Sequence, residues 1–179
     1  MKIRPAVPQD AADLLDIYSY YVEKTDITFE YDVPSEEEFR SRILSIKKRY
    51  PYLVAVDHDS VLGYAYASSF KDRRAYDWAC ETTVYVRRGI AGRGIGTALY
   101  EELERLLKKQ NIQNLNACIA YPNPKSEIFH LKNGFRQAAH FSKCGYKLDK
   151  WIDMIWMEKE IGGHEVPPKP FVPYSMLDY

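Results

Sequence analysis

The sequence predicts an α/β fold with a mixed central sheet and helices on both faces. Three observations lead there. Apolar and β-branched runs alternate with amphipathic runs in the order βααβββαβαββ. The chain has 179 residues, 46% of them hydrophobic, which suits one core of ordinary size. Residues 84–100, VYVRRGIAGRGIGTALY, pass from a β-branched strand through a glycine-rich loop into a helix.

Residues 2–7 read as a strand, and 9–23 as a helix with Ala12, Leu15, Tyr18 and Val22 on its apolar side. The loop 25–34, TDITFEYDVP, precedes a second helix that Ser35 caps, with Glu38 at capping-box spacing. PYLVAV (51–56) and VLGYAYASSF (61–70) form a hairpin about the turn Asp57-His58-Asp59-Ser60. A strand ending at Val86 leads through the loop into a helix reaching about residue 109, with Ile95, Ala98, Leu99, Leu103, Leu106 and Leu107 on one face. LNACIA (115–120) is a buried strand. Asn123-Pro124 opens a short helix that Gly134 closes. FRQAAHFSKC and IDMIWMEKEI are the last two strands. The ordered domain is expected over 1–161, followed by an extended tail over 162–179 with four prolines between 167 and 173.

The glycines turn backbone N–H groups toward one point, where the helix N-terminus adds partial positive charge; together they suit a phosphate-bearing ligand. A P-loop is excluded, because no Gly-Lys pair is present. A dinucleotide fingerprint is excluded too, since its third glycine would fall on Thr97 and residues 105–126 hold no acid. A strand–helix connection with glycines only for turning remains the plain alternative.

Charge is balanced, 25 basic residues against 25 acidic, so no global field favours nucleic acid or a membrane surface. No apolar run approaches transmembrane length, and the start MKIRPAVPQD lacks the apolar core of a secretory signal. Cys80, Cys118 and Cys144 are widely spaced with no C-x-x-C, as expected for reduced thiols in a cytoplasmic protein. His58, His130, His140 and His164 show no ligand spacing, so no metal is expected.

The segment Gly92-Arg93-Gly94-Ile95-Gly96, continuing into Thr97, resembles the pyrophosphate loop Q/R-x-x-G-x-G/A of the GNAT N-acetyltransferases, with Ala91 at the Gln/Arg position. There Arg87, Arg88 or Arg93 would have to supply the missing charge. The likeness extends over residues 2–160 to the phosphinothricin and methionine sulfoximine N-acetyltransferase branch. It is carried by TFEYDVP (28–34), RAYDWACETTVYV (74–86), PNPKSEIFHLKNGF (122–135) and GYKLDKW (145–151), the last with Asp149 where the branch often has glycine.

The resemblance implies acetyl-CoA as co-substrate and a small amino acid as acceptor. An amine of pKa about 9 costs about 3 kcal/mol to deprotonate at pH 7, and a positioned carboxylate can take that proton. Glu81 occupies the family's base position; its plain alternative is a strand-edge acid paired with Arg73 or Arg74. Val84, Tyr85 and Val86 are implied to pair with the pantetheine arm, a backbone N–H near Val86 polarising the thioester. Asn123 is implied to touch the cofactor, although its role as a helix cap explains it alone. Ser126 reads as structural. His130 is implied to protonate the leaving thiolate or bind the substrate acid, and reads equally as a satisfied helix histidine. Lys71, Arg73, Arg74, Ala75 and Tyr76 would select an anionic substrate end, or form a solvated turn. Phe29 would cover the acceptor. A homodimer is expected from the aromatic loop 28–34 and the tail. Two other readings stay open: an acetyltransferase for a protein N-terminus or polyamine, and a catalytically idle acyl-CoA-binding module.

Overall fold

A computed structural model describes residues 1–58, 60–90 and 92–177. Asp59 of the expected hairpin turn and Ala91 of the loop motif lie outside them. Seven strands form one sheet: β1 (Lys2–Pro5), β2 (Tyr52–Asp57), β3 (Ser60–Ser69), β4 (Ala79–Val86), β5 (Asn114–Tyr121), β6 (Arg136–Lys147) and β7 (Lys150–Glu160). Their spatial order is β1-β2-β3-β4-β5-β7-β6. All neighbours are antiparallel except β4 and β5, which makes the sheet mixed.

Helices α1 (Ala11–Lys24) and α2 (Glu36–Lys47) cover one face, and α3 (Ile95–Lys109) and α4 (Pro124–Lys132) the other. On the first face Leu14, Ile17, Val22, Phe39 and Ile43 pack on Tyr52, Val54 and Tyr64. On the second, Leu99, Leu103, Leu106 and Leu107 pack on Leu53, Ala65, Cys80 and Leu115. Alternation along β2 and β3 sends neighbouring residues to opposite cores, so both faces are apolar.

The helix over 11–24 is rotated from its expected face. Ala11, Leu14, Ile17, Tyr18 and Val22 are buried, while Ala12 is exposed and Leu15 half-buried. A short 3₁₀ turn over Pro8–Asp10 sets its entry angle, fixed by Asp10, whose carboxylate takes two 2.7 Å bonds from Arg4 and one of 2.8 Å from the Val7 amide. Ser35 caps α2 by accepting from the Glu38 amide at 3.1 Å. The return half of the capping box is missing, because Glu38 binds Arg42 at 2.5 Å instead.

The tail runs along the sheet end at the start of β4. Trp78 Nε1 donates to Lys169 O and Gln110 Nε2 to Val172 O, both at 2.7 Å, and Tyr174 is buried in a single 3₁₀ turn.

Gly63 faces Val86 across β3 and β4, and a Cβ there would stand 2.7 Å from the Tyr85 carbonyl oxygen. Backbone cannot yield as a flexible side chain can. Gly63→Ala is expected to cost about 1–3 kcal/mol and to lower Tm by several degrees in a thermal melt.

Candidate active site

The parallel pair β4–β5 is joined at three positions only: Ala79↔Asn114, Cys80↔Leu115 and Glu81↔Asn116. Beyond Glu81, β4 stays with β3 as far as Val86, and β5 stays with β7 as far as Tyr121. The sheet therefore opens into a V whose apex is Glu81. Residues Glu81–Tyr85 form one wall and Ala117–Ala120 the other, around a cavity of about 420 Å³. The Arg87 amide donates to Leu62 O at 2.8 Å. Alternation then turns the amides of Thr82, Val84 and Val86 away from β3, into the gap. Side chains cap the apex: Thr82 Oγ1 donates to Asn116 O and Asn116 Nδ2 to Cys80 O, each at 3.2 Å. Tyr21 donates its hydroxyl to Val86 O at 2.6 Å.

The glycine loop stands at the mouth of this V. Gly92 and Gly94 have φ of +86° and +76°, and a Cβ on either would meet nothing within 4 Å. Backbone angle therefore demands glycine here, rather than crowding. Gly94 is the N-cap of α3 and has no side-chain cap bond, so the first amides of α3 remain free for a ligand. Gly96 serves differently, since its Cβ would lie 3.0 Å from the Phe129 ring; it lets α3 and α4 close together. Ile95 is buried and Thr97 exposed. Of the three candidate arginines, Arg87 is committed to Asp16 at 2.6 Å and Arg88 stacks 4.9 Å from the Tyr20 ring centroid. Arg93 is exposed and has no ion pair among the described residues.

Strand alternation assigns the chemistry to two sides. Glu81, Thr83 and Tyr85 share the face of Tyr64 and Tyr66, under α1 and α2; Thr82 and Val84 face α3. Glu81 makes no ion pair with Arg73 or Arg74 among the described residues. Burial pushes its carboxyl up, and Lys71 pulls it only part of the way back. Phe29 lies on the same side with its ring against Gly145, where an added methyl would overlap it. Lys147, 3% exposed, donates to Thr28 O at 2.8 Å and holds that loop in place. Lys71, Arg73, Arg74, Ala75 and Tyr76 are all exposed, on a segment that includes a short 3₁₀ turn, and none lines the cavity.

From the other side α4 brings in His130, 4% exposed. Its Nδ1 lies 2.8 Å from Ser126 O; a carbonyl only accepts, so Nδ1 carries the proton and Nε2 is bare. Burial pushes the imidazole below its ordinary value and keeps it neutral. The Tyr100 hydroxyl sits 3.1 Å from both His130 Nε2 and Thr82 Oγ1, and its proton serves either acceptor. Neutral His130 has no proton of its own to give from Nε2, whereas the Tyr100 hydroxyl it holds carries one and lines the cavity. The sequence pattern missed Tyr100, which follows Leu99 in a stripe that otherwise reads as aliphatic core. Asn123 does cap α4, its Oδ1 accepting from the Ser126 amide at 3.3 Å, and it also lines the cavity. Among the described residues no group of three or more His, Cys, Asp or Glu could hold a metal ion.

A mixed sheet split beside a glycine loop, with a half-buried carboxylate at the apex that makes no ion pair among the described residues, defines an acyl-transfer site. The family model described as Acetyltransferase (GNAT) domain matches residues 3–156, and the chain belongs to that family. Phosphinothricin N-acetyltransferase of Streptomyces coelicolor is 38% identical, the match covering 90% of this chain and 96% of that protein. An L-methionine sulfoximine/L-methionine sulfone acetyltransferase of Salmonella typhimurium is 29% identical, covering 93% and 98%. The crystal structure of a GNAT superfamily phosphinothricin acetyltransferase from Sinorhizobium meliloti in complex with AcCoA superposes with a TM-score of 0.89 at 32% identity, covering 97% and 96%.

The raised Glu81 carboxyl has a consequence for stability. A carboxyl whose folded pKa exceeds its unfolded value, 4.5, favours folding while protonated. That contribution is complete below 4.5 and is lost as pH rises through the folded pKa, so ionised Glu81 destabilises the fold at pH 7. Glu81→Gln is expected to melt above the parent at pH 7, the gap closing as pH falls through the folded pKa toward 4.5 and staying closed below it.

Proposed function

We propose that the protein transfers acetyl from acetyl-CoA to the α-amine of a small amino acid of the phosphinothricin, methionine sulfoximine or methionine sulfone type. The observation that carries this reading is the V between β4 and β5, with a half-buried carboxylate at its apex, unpaired among the described residues, and free helix amides at its mouth. The relatives named above support the acceptor class.

Acetyl-CoA supplies an activated thioester. The residues present fit it: the loop Gly92–Gly96 and the first amides of α3 face outward for a pyrophosphate, with Arg93 free to add charge. The amides of Val84 and Val86 offer strand-like bonds to an extended arm and a donor to the reacting carbonyl oxygen, where negative charge develops. Tyr85 and Asn123 both line the cavity. Glu81 takes the amine proton, directly or through water, from the α1/α2 side. Tyr100, held by His130, stands on the α3 side to return a proton to the departing sulfur. Phe29 covers the acceptor. Lys71, with Arg73, Arg74 and Tyr76 beyond it, meets an anionic substrate end at the rim rather than in the wall.

Residues 1–161 act as one catalytic domain followed by the tail 162–179, of which the described part, 162–177, straps the sheet end. Reduced Cys80, Cys118 and Cys144 suit the cytoplasm. Among the described residues, no helix is long and apolar enough to cross a membrane. Edge strand β6 and the β6–β7 hairpin expose Phe141, Tyr146 and Trp151 beside Tyr31, and Trp151 is 64% exposed. A second copy covers that patch in a homodimer.

Two measurements test the reading. Thiol release from acetyl-CoA is followed with methionine sulfoximine, methionine sulfone and phosphinothricin beside methionine, lysine, spermidine and a short peptide. A tetrahedral analogue should give the highest kcat/KM. Preference for the peptide or spermidine would overturn the acceptor class, and a melting shift by acetyl-CoA without any turnover would leave only a binding module. Glu81→Gln should lose about 10²-fold or more in kcat at pH 7 while keeping acetyl-CoA affinity. The deficit should shrink as pH rises and free amine accumulates.

A further inference from the structure

The acceptor side of the cavity holds a second carboxylate that this mechanism does not use. Glu30, from the 25–34 loop, lines the cavity together with Tyr18, Thr28, Phe29, Tyr66 and Glu81. Its Oε1 is bound by Arg42 Nη1 at 2.7 Å. Its Oε2 is buried and, among the described residues, makes no hydrogen bond of ordinary geometry. A desolvated carboxylate oxygen without a donor is costly, so proteins rarely leave one without a purpose.

The placement of Glu30 is fixed from several directions. Lys147 donates to Thr28 O at 2.8 Å, and Lys150 pairs with Asp26 at 2.6 Å. The Tyr31 hydroxyl donates to Tyr146 O, and Phe29 rests on Gly145. The loop is thus fastened to the β6–β7 hairpin on one side and to α2 through Arg42 on the other. Tyr18 holds Thr28 Oγ1 at 2.8 Å, and its hydroxyl stands near enough to Glu30 for the carboxylate to raise its pKa, so the phenol and the Glu30 carboxylate share one corner of the cavity. Lys147 is turned to the Thr28 carbonyl. Tyr66 lines the same cavity, and both Glu30 and Glu81 raise its hydroxyl pKa. Among the described residues no lysine or arginine lines the cavity; the cations that act on the two acids, Arg42 and Lys147 on Glu30 and Lys71 on Glu81, stand outside its wall.

We propose that the Glu30 carboxylate is the anchor for the ammonium group of the incoming acceptor, which makes Glu30 a specificity-determining residue. This rests on the amine-acetylating reading of the same site. An amine of pKa about 9 arrives at pH 7 as a cation. It meets a pocket of two carboxylates, with Arg42 saturating only one oxygen of Glu30. Glu30 holds the cation by a charge-assisted bond, and Glu81, at the apex of the V, removes the proton beside the reacting carbonyl. The same charge turns an anionic end away from the loop and toward the rim at Lys71, which orients an amino acid with its amine inward. The partition of roles explains why two acids share one pocket when a single base suffices for the chemistry.

The test is a cycle of two ligands and two proteins, read by NMR competition and calorimetry on enzyme loaded with CoA. Methionine sulfone is compared with its counterpart lacking the amine, in the parent and in Glu30→Gln. The parent should favour the amine by about 10- to 100-fold, as expected for one charge-assisted bond, and Glu30→Gln should lose most of that preference. In turnover the variant should raise acceptor KM by the same factor, with kcat within a few-fold of the parent and the acetyl-CoA melting shift unchanged. Equal discrimination by both proteins overturns the proposal. So does loss of the acetyl-CoA shift together with activity, which marks Glu30 as merely structural; Glu30→Asp, which keeps the charge, should then fail equally instead of rescuing KM. Butylamine against 1-butanol repeats the cycle without amino-acid recognition. If methionine sulfone does not bind the parent but Glu30 still discriminates this pair, the acceptor class is wrong and the ammonium anchor stands.

Discussion

Everything at this site depends on one break in a ladder. β4 and β5 are parallel partners for three residues and then part at Glu81, leaving strand edges that would ordinarily have to be paired. Each half of the sheet is held by its own antiparallel neighbour, so the gap does not close. Layers above and below hold it open: Tyr21 reaches Val86 O from α1, while Tyr100 and His130 enter from α3 and α4. Thr82 and Asn116 close the apex with cross-strand side-chain bonds. The unpaired edge becomes a binding surface because, Val86 O apart, which Tyr21 holds, its backbone groups are left for a ligand.

The split also explains how acid and base are kept apart. In a continuous sheet, residues on opposite faces never meet. Here Glu81 approaches from the α1/α2 side and the Tyr100–His130 pair from the α3/α4 side, and the gap gives both access to one cavity. Burial shifts the groups on both sides, and it raises Tyr100, which holds its proton at neutral pH. Glu81 is raised toward the range of a working base, while His130 is lowered and stays neutral, locked as an acceptor by Ser126 O. Both shifts come from desolvation, and the fold bears the cost.

Local features were legible in the sequence and long-range ones were not. The aliphatic stripe of α3, the Ser35 and Asn123 caps and the glycines at Gly92 and Gly94 follow from residue type and spacing within a turn or two. The α1 face did not, since residues 11–22 are apolar nearly all round and the preceding Arg4–Asp10 clamp sets the rotation. Tyr100 was hidden because its partner, His130, is thirty residues away. Glu30 is paired across twelve residues with Arg42, and no motif signals that pairing. The cations at Lys71, Arg73 and Arg74 stood out as a charge run, yet they lie on an exposed turn outside the cavity wall.

The central claim is that the open edge of β4 is where acetyl-CoA lies. Amide hydrogen exchange with and without acetyl-CoA tests it most directly. The amides of Val84 and Val86, facing the gap, should exchange quickly in the free protein and become protected on binding, together with those of residues 92–97 at the start of α3. The Tyr85 amide, turned toward β3, should change little. Protection confined to another surface, or none at Val84 and Val86 while acetyl-CoA demonstrably binds, would contradict the account.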